Sequence, residues 1–337
     1  MNMRQIAALA GVSPSTVSRV INGTKPVTPE LRDAVLKVIE ANGYMPNAIK
    51  RQDRTIAVVI PPTFTSHGWS GEILDGILDG AGANTITLIR EQTVSDSVPR
   101  FWRQEMLRAG LKGVLIITTG QSRAIATSLR RAEVPFVQFG KGERTDHWVW
   151  CDNILVMARA LDLFFHQGHR RIAFVGYKGP HPDHRDRLRA YRTYMSYRGL
   201  APLEQLLTVG QPLTHDLVSF LDGPQPPTAL FVAGTTTALF TLALLSERGM
   251  TVPGDIAFAA MGPHPVLEAH QPPFPLVQRR LREGAKLAVE TLLSLAEEGE
   301  ESKRVQHTLE SDLVCGEQII TEPALPEELG KRLAALA

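Results

Sequence analysis

The residues best suited to chemistry lie near the start of the chain. Ser13 followed by Pro14 is a helix-start signal: a hydroxyl to cap the first turn, then a proline whose fixed φ suits the first helical position. In the helix that follows, Val17, Val20 and Ile21 recur at helical spacing and occupy one face. The opposite face carries Ser15, Thr16, Ser18, Arg19 and Asn22. Hydroxyls and amides suit phosphate oxygens, and an arginine fork matches the paired acceptors of a guanine edge. That combination suits the major groove of DNA. Any small helical bundle also has a polar face, so a plain solvated surface is the competing reading.

Three helices must hold that face. Ile6, Leu9 and Ala10 form a first helical run that ends at Gly11. Thr28-Pro29 repeats the start signal, and Leu31, Val35, Val38 and Ile39 stripe the helix after it. Gly43 supplies a C-terminal glycine. Two helices separated by Ala10-Gly11-Val12, the second with polar groups outward, predict a helix-turn-helix head. Residues 1–54 hold eight Lys/Arg against four acids, a net +4, while the 337-residue chain carries +1 and the remainder therefore −3. A basic head on a slightly acidic body suits a polyanion at one end.

The string Arg4-Gln5-Ile6-Ala7-Ala8-Leu9-Ala10-Gly11-Val12-Ser13, then Thr16-Val17-Ser18-Arg19-Val20-Ile21-Asn22-Gly23, resembles the head of the lactose-repressor (LacI/GalR) family of transcription regulators. So do Val27-Thr28, Arg32, Val35 and Gly43-Tyr44-x-Pro46-Asn47. The resemblance implies a DNA-binding domain over 1–47, a palindromic double-stranded operator as partner, a repressor's role and a homodimer. It implies that Pro14, Ser15 and Arg19 occupy base-reading positions. Ser13, Thr16, Asn22, Thr28, Tyr44 and Asn47 are then near phosphates.

The junction departs from that family, whose members carry a short hinge helix with a leucine that wedges into the minor groove and kinks the operator. Here Ala48–Thr55 runs almost directly into Ile56–Ile60, and Asp53 stands where the leucine is expected. A carboxylate is no apolar wedge, and it repels the phosphate backbone. We expect a linker over 48–55 with the hinge helix missing or rebuilt and with Lys50, Arg51 and Arg54 available to phosphates. A simple solvated linker is the other reading.

Across 56–325, short apolar runs alternate with helical stretches. Runs at 55–60, 85–89, 113–118, 135–139, 148–151, 171–175, 229–233 and 256–260 are strand candidates. Continuous ones such as Gly113-Val114-Leu115-Ile116-Ile117 predict strands covered on both faces. The alternation predicts an α/β core of two doubly wound parallel-sheet subdomains, with a ligand cleft at the strand C-termini. This region also resembles the LacI/GalR family, in Gln167-Gly168-His169-Arg170-Arg171-Ile172-Ala173-Phe174-Val175-Gly176, Asp152-Asn153, Leu111–Ile116, Pro227–Phe231 and Glu247–Ile256. The resemblance implies a periplasmic-binding-protein-like core for effector binding and dimerisation. Its implied halves are 56–149 plus 278–308 and 150–277 plus 309–325, followed by a C-terminal tail, 326–337.

The resemblance further implies a small-molecule effector, a sugar or another metabolite, gripped by Arg187, with Gln278 near the pocket and Trp69 stacking on the ligand. Arg187 has a second reading, as a surface arginine in the charged run 185–192. The match is partial. The Asn-Asp pair expected after Ala229–Ala233 is Gly234-Thr235, and the Asp expected after Ile256–Ala260 is Gly262-Pro263. Every buried sugar hydroxyl needs a partner. These losses point to a less polar, anionic or aromatic ligand, or to none.

Other classes fit less well. Gly176-x-x-Gly179 lacks the three-glycine spacing of a dinucleotide loop, and neither a Walker motif nor a serine elbow appears. His181-x-x-His184 has no clear third ligand and reads as solvated loop. No enzymatic activity, cofactor or metal is expected. Arg4 and Gln5 interrupt any apolar leader, and Gly234 interrupts the run Thr228–Leu245, so neither secretion nor a membrane span is expected. That argues against a pure solute-binding protein. Cys151 and Cys315, the only cysteines, fit reduced thiols in a cytoplasm. The remaining alternative is a regulator whose core binds a protein partner or no small ligand. At 43% hydrophobic and 21% charged, the chain has the composition of a folded protein and not of a disordered one.

Overall fold

The computed structural model describes residues 2–22, 26–42, 55–62, 64, 68–91, 102, 110–118, 120–178, 181–208, 214–262, 264–298, 304–321 and 324–336. The expected linker therefore lies outside the described residues, apart from Thr55, as do Tyr44 and Asn47.

The central strands of the core are apolar on both sides because both sides are covered. The described strands are, in chain order, β1 (Thr55–Ile60), β2 (Thr85–Arg90), β3 (Leu111–Ile117), β4 (Phe136–Phe139), β5 (Trp148–Cys151), β6 (Ile172–Lys178), β7 (Leu203–Thr208), β8 (Ala229–Val232), β9 (Ala257–Gly262), β10 (Leu276–Gln278), β11 (Gln306–Leu309), β12 (Asp312–Cys315) and β13 (Gln318–Ile319). In β1, Ile56, Val58 and Ile60 enter one hydrophobic cluster while Ala57 and Val59 enter another. In β6, Ile172 and Phe174 face one cluster, Ala173 and Val175 the next. This is the period of two of a strand with helices on both faces.

The first sheet has the order β11-β5-β4-β3-β1-β2 and its pairings are parallel. The second has the order β13-β12-β10-β9-β8-β6-β7, parallel from β10 through β7, with antiparallel β12 and β13 at one edge. Among the described residues, the chain passes between the sheets after β5, after β10 and after β11. Trp150, Cys151 and Leu309 thus belong to the first sheet, not to the second half where the sequence reading put them.

Two further departures have simple causes. Residues 326–337, expected as a tail, contain a helix, Glu327–Ala334. Its Leu329 and Leu333 are fully buried in a cluster of the second half, and acids in its first turn and bases in its last complement the helix dipole. In the head, Leu9 and Leu31 are 59% and 42% exposed, whereas Ala7 is buried. The small Ala7 permits close helix approach, and the core of the head is Ile6, Ala7, Val17, Val20, Ile21, Val35 and Ile39.

Candidate DNA-reading helix and effector cleft

The head consists of helices Met3–Leu9, Pro14–Asn22 and Pro29–Ala41. Asn2 and Gln5 cap the first reciprocally: the Asn2 side chain accepts the Gln5 N–H at 3.0 Å, and the Gln5 side chain accepts the Asn2 N–H at 2.8 Å. Gly11, at φ 64°, makes the left-handed turn into the second helix. Ser13 Oγ accepts the Thr16 N–H at 3.1 Å and sits 2.8 Å from Ser15 Oγ and 2.9 Å from Thr16 Oγ1. A capped start and a buried stripe of Val17, Val20 and Ile21 fix the orientation of this helix. Ser13, Pro14, Ser15 and Arg19 are exposed on its far side, and Thr16 and Ser18 are half-buried. Asn22 closes the helix, and Thr28 is exposed just before Pro29. An α-helix is about 10–12 Å across, the width of a major groove. The described members of the expected DNA set therefore lie on or beside one rigid helix, with Arg19 its only charged residue.

The second candidate site is the cleft between the sheets, at the C-terminal ends of β1, β3, β4 and β5 on one side and β6, β8 and β9 on the other. Its volume is about 620 Å³, within the usual range for small-molecule sites. Trp69 lines it, held edge-on by Phe64 at 5.6 Å. Arg187 also lines it and is only 5% exposed, which removes the surface reading. Its Nε donates to Asn153 Oδ1 at 3.2 Å, its Nη1 to the Ala233 carbonyl at 3.3 Å and its Nη2 to Asp183 Oδ2 at 3.2 Å. Gln278 is not in the cleft. It is exposed at the end of β10, and the alternation of the strand turns it outward and its neighbour Arg279 inward.

Arg279 Nη1 stands 3.7 Å from the same Asp183 oxygen. Burial pushes the Asp183 pKa up, but Arg187, His181, Arg279 and His184 outweigh it and hold the carboxyl below its ordinary range. Arg187 is pushed down to about 10 by burial, opposed by Asp183 and reinforced by Arg279. Cys151, at the cleft floor, has its thiol pushed up to about 12 by burial and is not a nucleophile at neutral pH.

His181 and His184 correct another expectation, for they are cleft walls and not solvated loop. His181 Nδ1 accepts the Asp183 N–H at 3.2 Å and caps helix Pro182–Tyr197. Its Nε2 donates to the Thr118 carbonyl at 3.1 Å, tying this helix to the first half of the core. His184 stacks on Tyr177 with ring centroids 5.6 Å apart. The sequence carried a signal for the cap, a Pro immediately after His181, of the same kind as Ser13-Pro14. It carried none for Asp183 or Arg279 as cleft residues.

Comparison with known proteins finds relatives for both parts of the chain. The family model described as bacterial regulatory proteins, lacI family, matches residues 2–47, and the periplasmic binding protein-like domain matches residues 161–317. The HTH-type transcriptional regulator CelR of Thermobifida fusca is 29% identical over 94% of this chain and 97% of its own. The ribose operon repressor of Haemophilus influenzae is 26% identical over 94% and 98%. Among solved structures, a transcriptional regulator CelR–cellobiose complex superposes with a TM-score of 0.67 at 25% identity, covering 94% of this chain and all of that one. The lac repressor dimer bound to operator and the anti-inducer ONPF superposes with a TM-score of 0.66 over 94% and 98%; at 19% identity it speaks to the fold alone.

Proposed function

The chain belongs to the lacI family of bacterial regulatory proteins, and from that premise we propose how its two sites work together. It is a sequence-specific DNA-binding transcription regulator with a small-molecule-binding core. The observation that carries the reading is the helix Pro14–Asn22, capped at its start, anchored by three buried aliphatic residues and presenting Arg19 among hydroxyls. Arg19, Ser15 and Pro14 read base edges. Ser13, Thr16, Ser18, Asn22 and Thr28 hold the backbone, together with Tyr44 and Asn47.

The protein acts as a homodimer, as in the lac repressor dimer on its operator, so that two heads meet two half-sites of a palindrome. The core takes a sugar or another metabolite in the cleft, as a CelR complex holds cellobiose. Ligand closure of the halves changes the separation of the heads and so the affinity for the operator. Residues 1–47 form the head, 48–54 the linker and 55–336 the core, helix Glu327–Ala334 included. Asp53 in place of a wedging leucine supports operation without a central kink. The work of this protein is binding and not catalysis, and it takes place in the cytoplasm. No helix among the described residues is long and apolar enough to cross a membrane.

The test is selection of binding sites from random duplexes by the full chain. An inverted repeat protected in a footprint, with binding lost selectively in Arg19→Ala, is the expected result. Enrichment of no sequence would overturn the reading.

A further inference from the structure

The cleft has a polar inventory unsuited to a neutral polyol. A sugar needs several convergent carboxylates and amides, because each of its buried hydroxyls must be paired. Gly234 and Thr235 follow β8, and Gly262 ends β9; the Thr235 hydroxyl is already engaged, donating to the Met261 carbonyl at 3.2 Å. Asp183 is shared by two guanidiniums. The remaining carboxylate among the described lining residues is Glu91.

The charge inventory points the other way. Lys178, Arg187 and Arg279 face Asp183 and Glu91, with His181 and His184 beside them. The two arginines are not equivalent. Each of the three nitrogens of Arg187 has an acceptor. Arg279 has a side chain only 10% exposed, a long ion pair at 3.7 Å, and a buried Nε with no hydrogen-bond acceptor among the described residues. A buried charged donor without an acceptor is costly, and a planar guanidinium fork is matched by an oxyanion. Most of the remaining wall is apolar or aromatic, including Trp69, Ile73, Ile117, Phe139, Trp150 and Leu281, with the hydroxyls of Thr118, Tyr177 and Thr236 beside them, the first already donating to the Phe139 carbonyl.

Resting on the reading of this cleft as the effector site, we propose that its ligand is a small organic monocarboxylate with a ring or other apolar body, its charge taken by Arg279 and its ring by Trp69. One negative charge matches the one excess cation among the described residues that line the cleft, Lys178, Arg187 and Arg279 against Glu91 and Asp183, counting the histidines as neutral. A bidentate carboxylate supplies Arg279 with acceptors while Asp183 stays with Arg187. Trp69, steadied by Phe64, offers a flat face for a ring.

The probes are benzoate, phenylacetate and indole-3-acetate, their three amides, phenyl phosphate and cellobiose, titrated into the full-length protein with tryptophan fluorescence and calorimetry. The expected result is binding of at least one carboxylate, at least about tenfold tighter than its amide. Arg279→Gln should abolish that preference while the melting temperature stays near that of the parent, and Arg279→Lys should restore part of it. Cellobiose binding tighter than every carboxylate, phenyl phosphate binding tighter than every carboxylate, binding by no probe, or an undiminished preference in Arg279→Gln would each overturn the proposal. Operator selection by the same protein is scored separately. Loss of selected DNA binding sinks the regulator reading, whereas a sugar in the cleft with operator binding intact sinks only the carboxylate assignment.

Discussion

Gly76 sets how closely two helices beside the cleft approach, and one substitution tests this. Helix Ser70–Ala81 begins next to Trp69 and packs on helix Leu281–Glu298, which begins two residues after Arg279. At Gly76 an added Cβ would lie 2.2 Å from the Arg282 carbonyl oxygen and 2.9 Å from the Ala285 Cβ. Carbon–oxygen contacts settle at about 3.3–3.6 Å, so Gly76→Ala forces the helices apart by roughly 1 Å. The obstacle is backbone, which no rotamer change relieves. Overpacking of this kind costs about 1–3 kcal/mol, occasionally more, and the helix-propensity gain of alanine over glycine returns about 1 kcal/mol. Against a backbone obstacle the upper part of that range applies, so the expected net loss is about 1–2 kcal/mol, a fall in Tm of roughly 1–3 °C at the usual unfolding entropy per residue of a 337-residue chain.

Gly71, on the same helix, has no atom within 4 Å of its would-be Cβ. Gly71→Ala should leave stability unchanged or raise it by up to about 1 kcal/mol. Thermal unfolding of the two variants beside the parent reads the difference, and effector affinity should fall only in Gly76→Ala. Equal or higher Tm for Gly76→Ala would refute the reasoning, because the helices would then not meet at this residue.

Four shorter predictions follow from the same structure. Arg19→Ala should cost about 1–3 kcal/mol of operator affinity and relax one base position; equal loss on random DNA, by mobility shift, would assign Arg19 to phosphate. Asp183 has its carboxyl pKa held below 3.8 in the fold, so its contribution to stability is present above that value and lost as pH falls through the folded pKa. Asp183→Asn should therefore be less stable than the parent at about pH 7, with the gap in urea unfolding shrinking below about pH 4. The Tyr194 hydroxyl donates to the fully buried Asp162 carboxylate at 2.6 Å, and Tyr194→Phe should cost about 1–3 kcal/mol by denaturant titration. With Asp53 at the wedge position, a circular-permutation assay should show little bend at the operator centre; a sharp central bend would show that a rebuilt linker enters the minor groove.

The head was readable because its signals are local. Ser13-Pro14 and Thr28-Pro29 start helices, Gly11 turns the chain, and Val17, Val20 and Ile21 bury as their spacing demands. Leu9 was misread because a short helix places its stripe by what packs on it, and Ala7 allowed the closer approach. Most of the long strands of the core were readable as well, since burial on both faces leaves a continuous apolar run such as Val114–Ile117; the edge strand β7, Leu-Glu-Gln-Leu-Leu-Thr, has no such run and was not. The short β10, the edge strands β11 to β13 and helix Glu327–Ala334 were not readable, because two to four residues are too few to carry a period and a terminal helix is defined by what it docks against.

By itself, then, the sequence determined a helix-turn-helix head and a doubly wound core, through caps and periodicity among near neighbours in the chain. Trp69 and Arg187, which do line the cleft, were pointed to by the resemblance to the LacI/GalR family, with a surface reading of Arg187 left open. Tertiary structure decided the character of the cleft. It turned Gln278 out and Arg279 in at the end of β10, set Asp183 between two guanidiniums 92 residues apart in the chain, and used His181 both to cap a helix and to reach Thr118 across the cleft. Those arrangements join segments brought together only when both sheets have formed, and the electrostatics of a buried site depend on every charge that folding brings within a few ångströms.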